Sequence, residues 1–185
     1  MPKVSPEYIE ARRAEILEGA RRDFAEHGYE GATVSRLEQE IGLSRGAIFH
    51  HFRSKLDLFV ELAVADNRRY QEVLAEQGLE AVLRAIASAD LNWLNVLVET
   101  EVRLWHDPEF ERRMTSEEQG ETLLAGLGQA QADGRLRADL DLLSILDFAL
   151  IVINGLALRV VGGGPVDIEA LVTLVNDGLL PRSLS

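Results

Sequence analysis

Hydroxyl and guanidinium groups that could bond to a nucleic acid cluster between residues 33 and 55 of the chain. Arg45 carries a planar fork of donors that matches O6 and N7 of guanine, and the hydroxyls of Thr33 and Ser44 can donate to phosphate oxygens. Each hydroxyl also precedes a helix-forming stretch, where it is a good helix N-cap. The same side chains could be ordinary caps and solvated charges, so their role depends on the elements that hold them.

Two short helices joined by a glycine turn are predicted over this stretch. Apolar residues recur at helical spacing from Val34 to Ile41. Gly42 ends the first helix, because glycine readily adopts the left-handed conformation that such a turn requires. On the second helix Ile48 and Phe52 face inward, which leaves a polar and aromatic outer face. This pattern is typical of a helix-turn-helix, whose second helix enters the major groove of DNA.

A longer ordered match extends the motif in both directions. Residues 15–34 read EILEGARRDFAEHGYEGATV, residues 44–52 read SRGAIFHHF, and residues 55–59 read KLDLF. Together they resemble the N-terminal domain of TetR-family transcriptional repressors, and most of all the branch with the actinobacterial aconitase repressor. The resemblance covers roughly the first third of the chain and is more specific than a two-helix pattern alone.

The resemblance implies a set of positions at DNA. Phe49 stands where the family commonly has tyrosine, so a hydroxyl–phosphate contact is missing and His50 is expected to serve that edge. Lys55, in the first turn of a fourth helix, is placed for a phosphate. His50 and His51 do not predict a metal site, because helix neighbours point about 100° apart and no nearby carboxylate or cysteine completes a tetrahedral set. The predicted DNA-binding residues are Thr33, Ser44, Arg45, Gly46, Phe49, His50 and Lys55.

The charge of the chain is unevenly distributed. The 185 residues carry a formal net charge of −12, but residues 1–55 hold as many acidic as basic residues. The acidic remainder is expected to repel DNA and to orient the basic face of the first domain toward it. The absence of cysteine excludes disulfides and fits a reducing compartment. With no leader and no uninterrupted apolar run of about 18 residues, we expect a cytoplasmic protein that does not interact with a membrane.

Motifs of catalysis are missing from the sequence. It has no cysteine nucleophile, no Gly-x-Ser-x-Gly, no Walker loop and no His-Glu-x-x-His. The stretch 162–165 (GGGP) lacks the lysine and the preceding strand of a phosphate-binding loop, so we interpret it as a connection. We therefore predict no enzymatic activity, no cofactor and no metal. The alternative to a DNA-binding regulator is a helical protein–protein interaction module with a non-functional DNA-binding head.

Helical periodicity continues through most of the chain, and no strand is predicted. Glycines leave the stretch 109–132 broken, and Asp133-Gly134 predicts a turn. Helices are predicted over 6–27, 33–41, 44–51, 54–77, 79–88, 90–106, 140–161 and 167–180. The predicted fold is all-α and TetR-like: a three-helix helix-turn-helix DNA-binding domain over 1–53, and a helical ligand-binding and dimerisation domain over 54–185.

Residues 140–161 are too apolar on all sides for an ordinary surface helix. An apolar face that one subunit cannot cover is an association site, so we expect this segment and 167–180 to form a four-helix interface with a second copy. A homodimer of this kind would bind a palindromic operator. The residues predicted at the centre of the interface are Leu150, Ile153, Leu171 and Val175.

The helix that starts near Asp90 corresponds to the one that lines the ligand cavity in this family. Glu99 and Arg103 share a face of it, either as pocket residues or as a surface ion pair. Arg159, within an apolar segment, would reach the surface, pair with an acid such as Asp147 or Glu99, or meet an anionic ligand. We therefore expect a small-molecule effector, with a polar or anionic group, that releases the repressor. The predicted ligand-binding residues are Trp93, Glu99, Arg103, Asn154 and Arg159, with Trp105 as a further candidate.

Overall fold

The computed structural model describes residues 5–104, 106–114 and 117–179, without the side chains of 117–119. Within these ranges the chain forms ten helices and no strand, so the predicted all-α class is confirmed. The helices are α1 (Pro6–Gly31), α2 (Val34–Ile41), α3 (Arg45–His51), α4 (Lys55–Gln77), α5 (Leu79–Ala87), α6 (Leu91–Leu104), α7 (Pro108–Met114), α8 (Glu117–Ala132), α9 (Leu142–Val161) and α10 (Ile168–Leu179).

The chain divides into two compact units. Of the described residues, the first unit contains 5–65 with 95–104 and 106–114, and the second contains 66–94 with 117–179. Helices α4 and α6 each contribute residues to both units. The boundary predicted from sequence, between residues 53 and 54, lies within the first unit and stays a prediction.

Local signals start and stop the first three helices. Thr33 caps α2 by accepting the N–H of Arg36, and Ser44 caps α3 by accepting the N–H of Ala47. Between them Gly42 adopts φ 73° and ψ 21°, the left-handed conformation predicted for the turn. Helix α1 is interrupted at Gly28, which has φ 71° and ψ 168°, and one further turn follows it. The predicted helix-turn-helix is thereby confirmed as local structure.

The second unit is built around α9. Helix α5 packs against α9 and α10, and α8 packs against α9. The glycines of α8 do not break it, contrary to expectation. A Cβ built on Gly126 would lie 3.4 Å from the Cβ of Ala75 in α4, so this glycine permits a close approach of two helices. Packing of this kind offsets the roughly 1 kcal/mol that glycine costs inside a helix.

Helix α9 is strongly apolar but mostly uncovered within the subunit. Asp141 caps it by accepting the N–H of Ser144, and its buried residues are Ile145, Ala149 and Leu156. It has 20 residues, and an 18-residue window of it has a mean hydropathy of 1.9, so the helix is long and apolar enough to cross a membrane by length and composition. The core helix of a folded domain can meet the same two criteria, so this finding does not contradict the expectation of a chain without a membrane partner. The sequence has no uninterrupted apolar run of this length, because isolated polar residues interrupt the helix.

Candidate DNA-binding surface

The outer face of α3 is exposed while its inner face is held in the core. Ile48 and Phe52 are buried, whereas Arg45, Gly46 and His50 are exposed. Gly46 adds no side chain to this face, so another molecule can approach the backbone of α3 closely. The helix thus presents a narrow polar strip to solvent, and its buried side anchors it in the core.

Arg45 is positioned by contacts on both sides of its Cα. Its backbone N–H donates to Oε1 of Glu38 at 2.6 Å, which ties the start of α3 to α2. Its guanidinium carbon lies 5.9 Å from the centre of the Phe49 ring, within cation–π range. Phe49 lacks the tyrosine hydroxyl, but its half-buried ring supports the guanidinium that we expect to contact a base.

Lys55 makes an internal contact that the sequence did not predict. Its Nζ donates to the carbonyl oxygen of Tyr29 at 2.7 Å and lies 4.4 Å from the centre of the Tyr29 ring. That ring packs against Phe24 and Phe59, and burial raises the pKa of Tyr29. One N–H of the ammonium is engaged by the carbonyl, and two remain as donors. Lys55 therefore both ties α4 to the end of α1 and keeps a charge in place.

A groove beside α3 contains α1 residues that sequence analysis missed. Its volume is about 390 Å³, and Gly46, His50 and His51 of α3 line it. Tyr8 and Arg12 of α1 line it as well, and Arg12 Nη2 donates to the Tyr8 hydroxyl at 3.1 Å. The four-residue spacing of this pair was visible in the sequence, but nothing local revealed that α1 passes beside α3.

Arg13, also on α1, holds the end of α3. Its Nη1 donates to the carbonyl oxygen of His51 at 2.7 Å, and its Nη2 lies 2.6 Å from the carboxylate of Glu61. Its guanidinium carbon lies 4.4 Å from the centre of the Phe52 ring. A carbonyl at a helix C-terminus is a favourable acceptor for a cation. Arg13 is thus a positioning residue for the outer face of α3.

A second group of polar side chains missed from sequence joins α1 to α2. Nη1 of Arg36 lies 2.6 Å from Nε2 of His27, and Nδ1 of His27 lies 3.0 Å from Oδ1 of Asp23. Because arginine can only donate, Nε2 accepts and the ring proton lies on Nδ1, toward Asp23. Burial raises the pKa of Asp23, and the neighbouring His27 partly offsets this. The chain of contacts fixes Arg36 on the exposed side of α2.

Three of the five predicted ligand-binding residues lie in the second unit. Trp93 is buried in the second unit, and its indole N–H donates to Asp66 at 2.5 Å. Asn154 and Arg159 are exposed on α9, and their predicted contact with a ligand stays a prediction. Trp105 lies outside the described residues. Helix α9 has enough apolar residues to fill its inner face and to occupy part of its outer face as well. Its polar residues can therefore lie on the outer face.

Glu99 and Arg103 line a cavity of about 210 Å³ in the first unit, together with Thr100 and residues 27–31. Arg103 Nη1 lies 2.6 Å from Oε1 of Glu30, and both side chains are more than half exposed. Its ion pair is therefore with the end of α1, not with Glu99 on its own helix. An exposed pair of this kind contributes only about 0–1 kcal/mol.

The predicted interface residues divide between surface and core. Leu150 is exposed, and Ile153 and Leu171 are partly exposed. Val175 is 3% exposed and belongs to the core of its own unit, whereas the adjacent Leu174 is 70% exposed. The prediction for Val175 is corrected accordingly, because α10 turns the stripe that contains it toward the core.

Among the residues that the structure describes, no three His, Asp or Glu side chains gather into a group that could hold a metal ion. The rings of His50 and His51 lie 5.3 Å apart, nearly perpendicular to each other.

A capped helix-turn-helix with an exposed second helix, in an all-α chain, defines a DNA-binding transcription regulator. Residues 16–62 match the family model described as bacterial regulatory proteins, tetR family. The chain is 41% identical over 184 residues to the HTH-type transcriptional repressor AcnR of Corynebacterium diphtheriae, with 97% of each chain covered. The chain belongs to the TetR family.

Two further comparisons agree with this assignment. An HTH-type transcriptional repressor of Mycobacterium tuberculosis is 40% identical over 184 residues, covering 97% of this chain and 98% of that protein. The predicted likeness to the actinobacterial branch is thus confirmed, and these relatives are repressors, not enzymes. The solved structure of GusR from Salmonella enterica has a TM-score of 0.74 at 23% identity, covering 96% of this chain and 98% of that one, which shows the shared fold.

Proposed function

We propose that the chain acts as a homodimeric repressor that binds a palindromic operator in the cytoplasm and is released by a small-molecule effector. The observation that carries the proposal is the exposed strip of Arg45, Gly46 and His50 on a helix whose other side is buried. A helix of this kind can enter a major groove and bring donors to base edges.

Each predicted DNA-binding residue has a role in this proposal. Arg45 donates to guanine, supported by the ring of Phe49, and Gly46 lets the helix approach the bases. His50 serves the edge of the groove. Thr33, Ser44 and Lys55 donate to phosphates, since a capping hydroxyl that accepts an N–H keeps its own proton. Residues 1–53 form the DNA-binding domain in this scheme, and 54–185 the regulatory and dimerisation domain.

The groove beside α3 favours a wider contact than these residues alone provide. Arg12 and Tyr8 lie next to His50, which we place at the edge of the major groove. The sugar–phosphate backbone flanks that edge, and a guanidinium is a good partner for its phosphates. We therefore add Arg12 to the phosphate-binding residues, with Tyr8 as the residue that orients it.

Homodimerisation is supported by apolar side chains on α9 and α10 that the subunit leaves uncovered. Ile151 is 71% exposed, and Leu143, Leu158 and Leu174 are also mostly exposed. A second copy would cover them and supply a second DNA-binding domain. Two such domains fit a palindromic site whose half-sites lie about 34 Å apart. Leu174 replaces Val175 in the proposed interface, beside Leu150, Ile153 and Leu171.

Effector release is supported by the cavity beside Arg103. A ligand with an anionic group could compete with Glu30 for this guanidinium, since the two residues form the ion pair at the cavity. Loss of that pair would remove one of the contacts that hold the end of α1, beside the bond from Lys55 to the Tyr29 carbonyl, two residues before the cap of α2. The ligand acts only through its different affinities for the two states, as in any population shift.

Footprinting upstream of the chain's own gene, followed by gel shifts on the protected fragment, tests this function. We expect a protected site with two symmetric halves and strong competition by the specific fragment over random DNA. A matched fragment with scrambled half-sites is the control. Equal affinity for both fragments, or no binding at all, would contradict the proposal and favour the interaction module.

A further inference from the structure

Glu38 spans the turn between α2 and α3 with two hydrogen bonds. Its backbone carbonyl accepts the N–H of Gly42 at 3.0 Å, which closes the end of α2. Oε1 of its side chain accepts the N–H of Arg45 at 2.6 Å, at the first residue of α3. The hydroxyl of Ser44 accepts the N–H of Ala47 in the same turn of helix. One acidic side chain of α2 therefore fixes where α3 begins.

The charge of Glu38 is not neutralised within the DNA-binding unit. Among the described residues, no arginine, lysine or histidine forms an ion pair with its carboxylate. Glu40, two residues further along α2, is by contrast paired with Arg22 at 2.6 Å. Glu38 is partly exposed, and a carboxylate that accepts one N–H can accept further hydrogen bonds. A negative charge therefore lies beside the exposed strip of α3.

A carboxylate on a DNA-binding surface is selective, because it can only accept hydrogen bonds. Phosphates offer no donor and carry the same sign of charge, so contact between Glu38 and the DNA backbone is unfavourable. Base edges in the major groove do offer donors, namely the amino groups at N4 of cytosine and N6 of adenine. The acid is bonded to Arg45, the residue that we place at a guanine, so in the operator complex it lies at base edges.

Arg45 is held at two points, and Glu38 is one of them. The acid accepts its backbone N–H, and the guanidinium lies beside the ring of Phe49 one turn later. Loss of the backbone bond would allow the first turn of α3 to shift relative to α2. A bidentate contact tolerates little displacement of this kind. Glu38 is therefore a positioning residue for Arg45 as well as a source of charge.

We propose that Glu38 is a specificity-determining residue of the DNA-binding surface. Its charge disfavours contact with phosphates at sites other than the operator, and its bond to the N–H of Arg45 holds that arginine in position for a base. This inference rests on the proposed function and names the residue that widens the gap between operator and random DNA. Removal of this acid is expected to strengthen binding to random DNA while it weakens discrimination.

Two substitutions separate the charge from the hydrogen bond. Glu38→Gln removes the charge and keeps an oxygen that can accept the N–H of Arg45. It should bind random DNA roughly fivefold more tightly at low salt, the factor for one like-charge contact removed in water. The gain should shrink as salt screens the charge, which a purely structural effect would not do. Glu38→Ala removes the bond as well, and should bind the operator on the order of tenfold more weakly than Glu38→Gln.

A double-mutant cycle with Arg45→Ala shows whether Glu38 acts through that arginine. In the Arg45→Ala background, Glu38→Ala and Glu38→Gln should bind the operator alike, since no guanidinium remains to be positioned. Their gain on random DNA should persist there, because it depends on charge alone. Competition gel shifts with operator and scrambled fragments, repeated over a range of salt concentrations, measure both affinities.

Glu76→Gln is the matched control. It removes the same charge from an exposed position on α4 in the second unit, and should leave both affinities unchanged. Circular dichroism checks that each variant folds. If Glu38→Ala is unfolded, Glu38→Met replaces it, because methionine keeps the length of the side chain without its oxygens.

The outcomes distinguish this inference from the proposed function. A wild-type chain that binds operator and scrambled fragments alike would overturn both. If the wild type prefers the operator but Glu38→Gln has unchanged affinity for random DNA, or a gain that salt does not reduce, the role of the charge is overturned and the repressor stands. Equal operator affinity of Glu38→Ala and Glu38→Gln, with Arg45 in place, would overturn the positioning role.

Discussion

Asp57 and Arg113 form an ion pair in which Nη1 of Arg113 lies 2.5 Å from Oδ1 of Asp57. Asp57 is only 7% exposed and also accepts the backbone N–H of Arg53 at 2.9 Å. Burial by itself would raise the pKa of Asp57, but these hydrogen bonds outweigh it and lower the pKa below the ordinary 3.8. Arg53 lies two residues after the end of α3, so the pair fixes the chain between the exposed helix and α4.

Asp57→Asn should lower the free energy of unfolding by about 1–3 kcal/mol at neutral pH, because it weakens the bonds to two donors. A carboxyl whose pKa is lowered by folding stabilises the native state above its unfolded pKa, and this contribution is lost as the pH falls through the lowered value. The difference from wild type should therefore shrink below pH 3.8. Urea unfolding at pH 7 and pH 3 measures it, with Glu10→Gln as an exposed control. An equal difference at both pH values would contradict the role of the charge.

Arg45→Ala should reduce the preference for the operator by about 1–3 kcal/mol, because one bidentate base contact is lost. Its affinity for random DNA should change little. Competition gel shifts with operator and scrambled fragments give both values, and Arg68→Ala on α4 is the matched control. Wild-type preference in the Arg45 variant would show that the base-contacting residue is elsewhere on α3.

Lys55→Ala should weaken binding to all sequences alike. A lost phosphate contact lowers the slope of log affinity against log salt by about one. Because Lys55 also donates to the carbonyl of Tyr29, its removal should destabilise the domain as well. Binding is therefore measured at several salt concentrations on protein shown to be folded. An unchanged salt slope with lowered stability would leave Lys55 a purely structural role.

Arg12→Ala should shorten the protected region at its outer edge and lower the salt slope, while the operator preference is kept. The reason is that the residues of the groove beside His50 would contact the sugar–phosphate backbone of the DNA and no base. Arg12→Lys keeps the charge and should retain most of the slope, whereas Tyr8→Phe should lose only the orienting hydrogen bond. A footprint with wild-type boundaries in Arg12→Ala would exclude α1 from the contact.

Organic acids should raise the melting temperature of the wild type if the cavity beside Arg103 takes an anionic effector, because a ligand that binds only the folded state stabilises it. The shift should vanish in Arg103→Ala and persist in Arg159→Ala, since Arg159 lies outside that cavity. A thermal-shift screen of organic acids and hydrophobic amines decides the point. Stabilisation by amines alone, equal in both variants, would reject the anionic ligand.

The sequence by itself determined the helix-turn-helix. The caps at Thr33 and Ser44 and the turn at Gly42 depend on bonds between residues three or four apart, and such bonds form wherever the local residues allow them. The helical spacing of the apolar residues in α1 and α2 likewise predicted which face of each helix points toward the core. These elements already place Arg45, Gly46 and His50 on an outer surface.

Only the tertiary structure decided which long-range partners hold that surface. Arg13 reaches the carbonyl of His51, 38 residues away, and Arg113 reaches Asp57, 56 residues away. The tertiary structure also decided that Leu174 is exposed and Val175 is buried. A helix that is apolar on several sides gives no periodic signal of its inner face, and one residue of rotation about its axis, about 100°, separates core from interface.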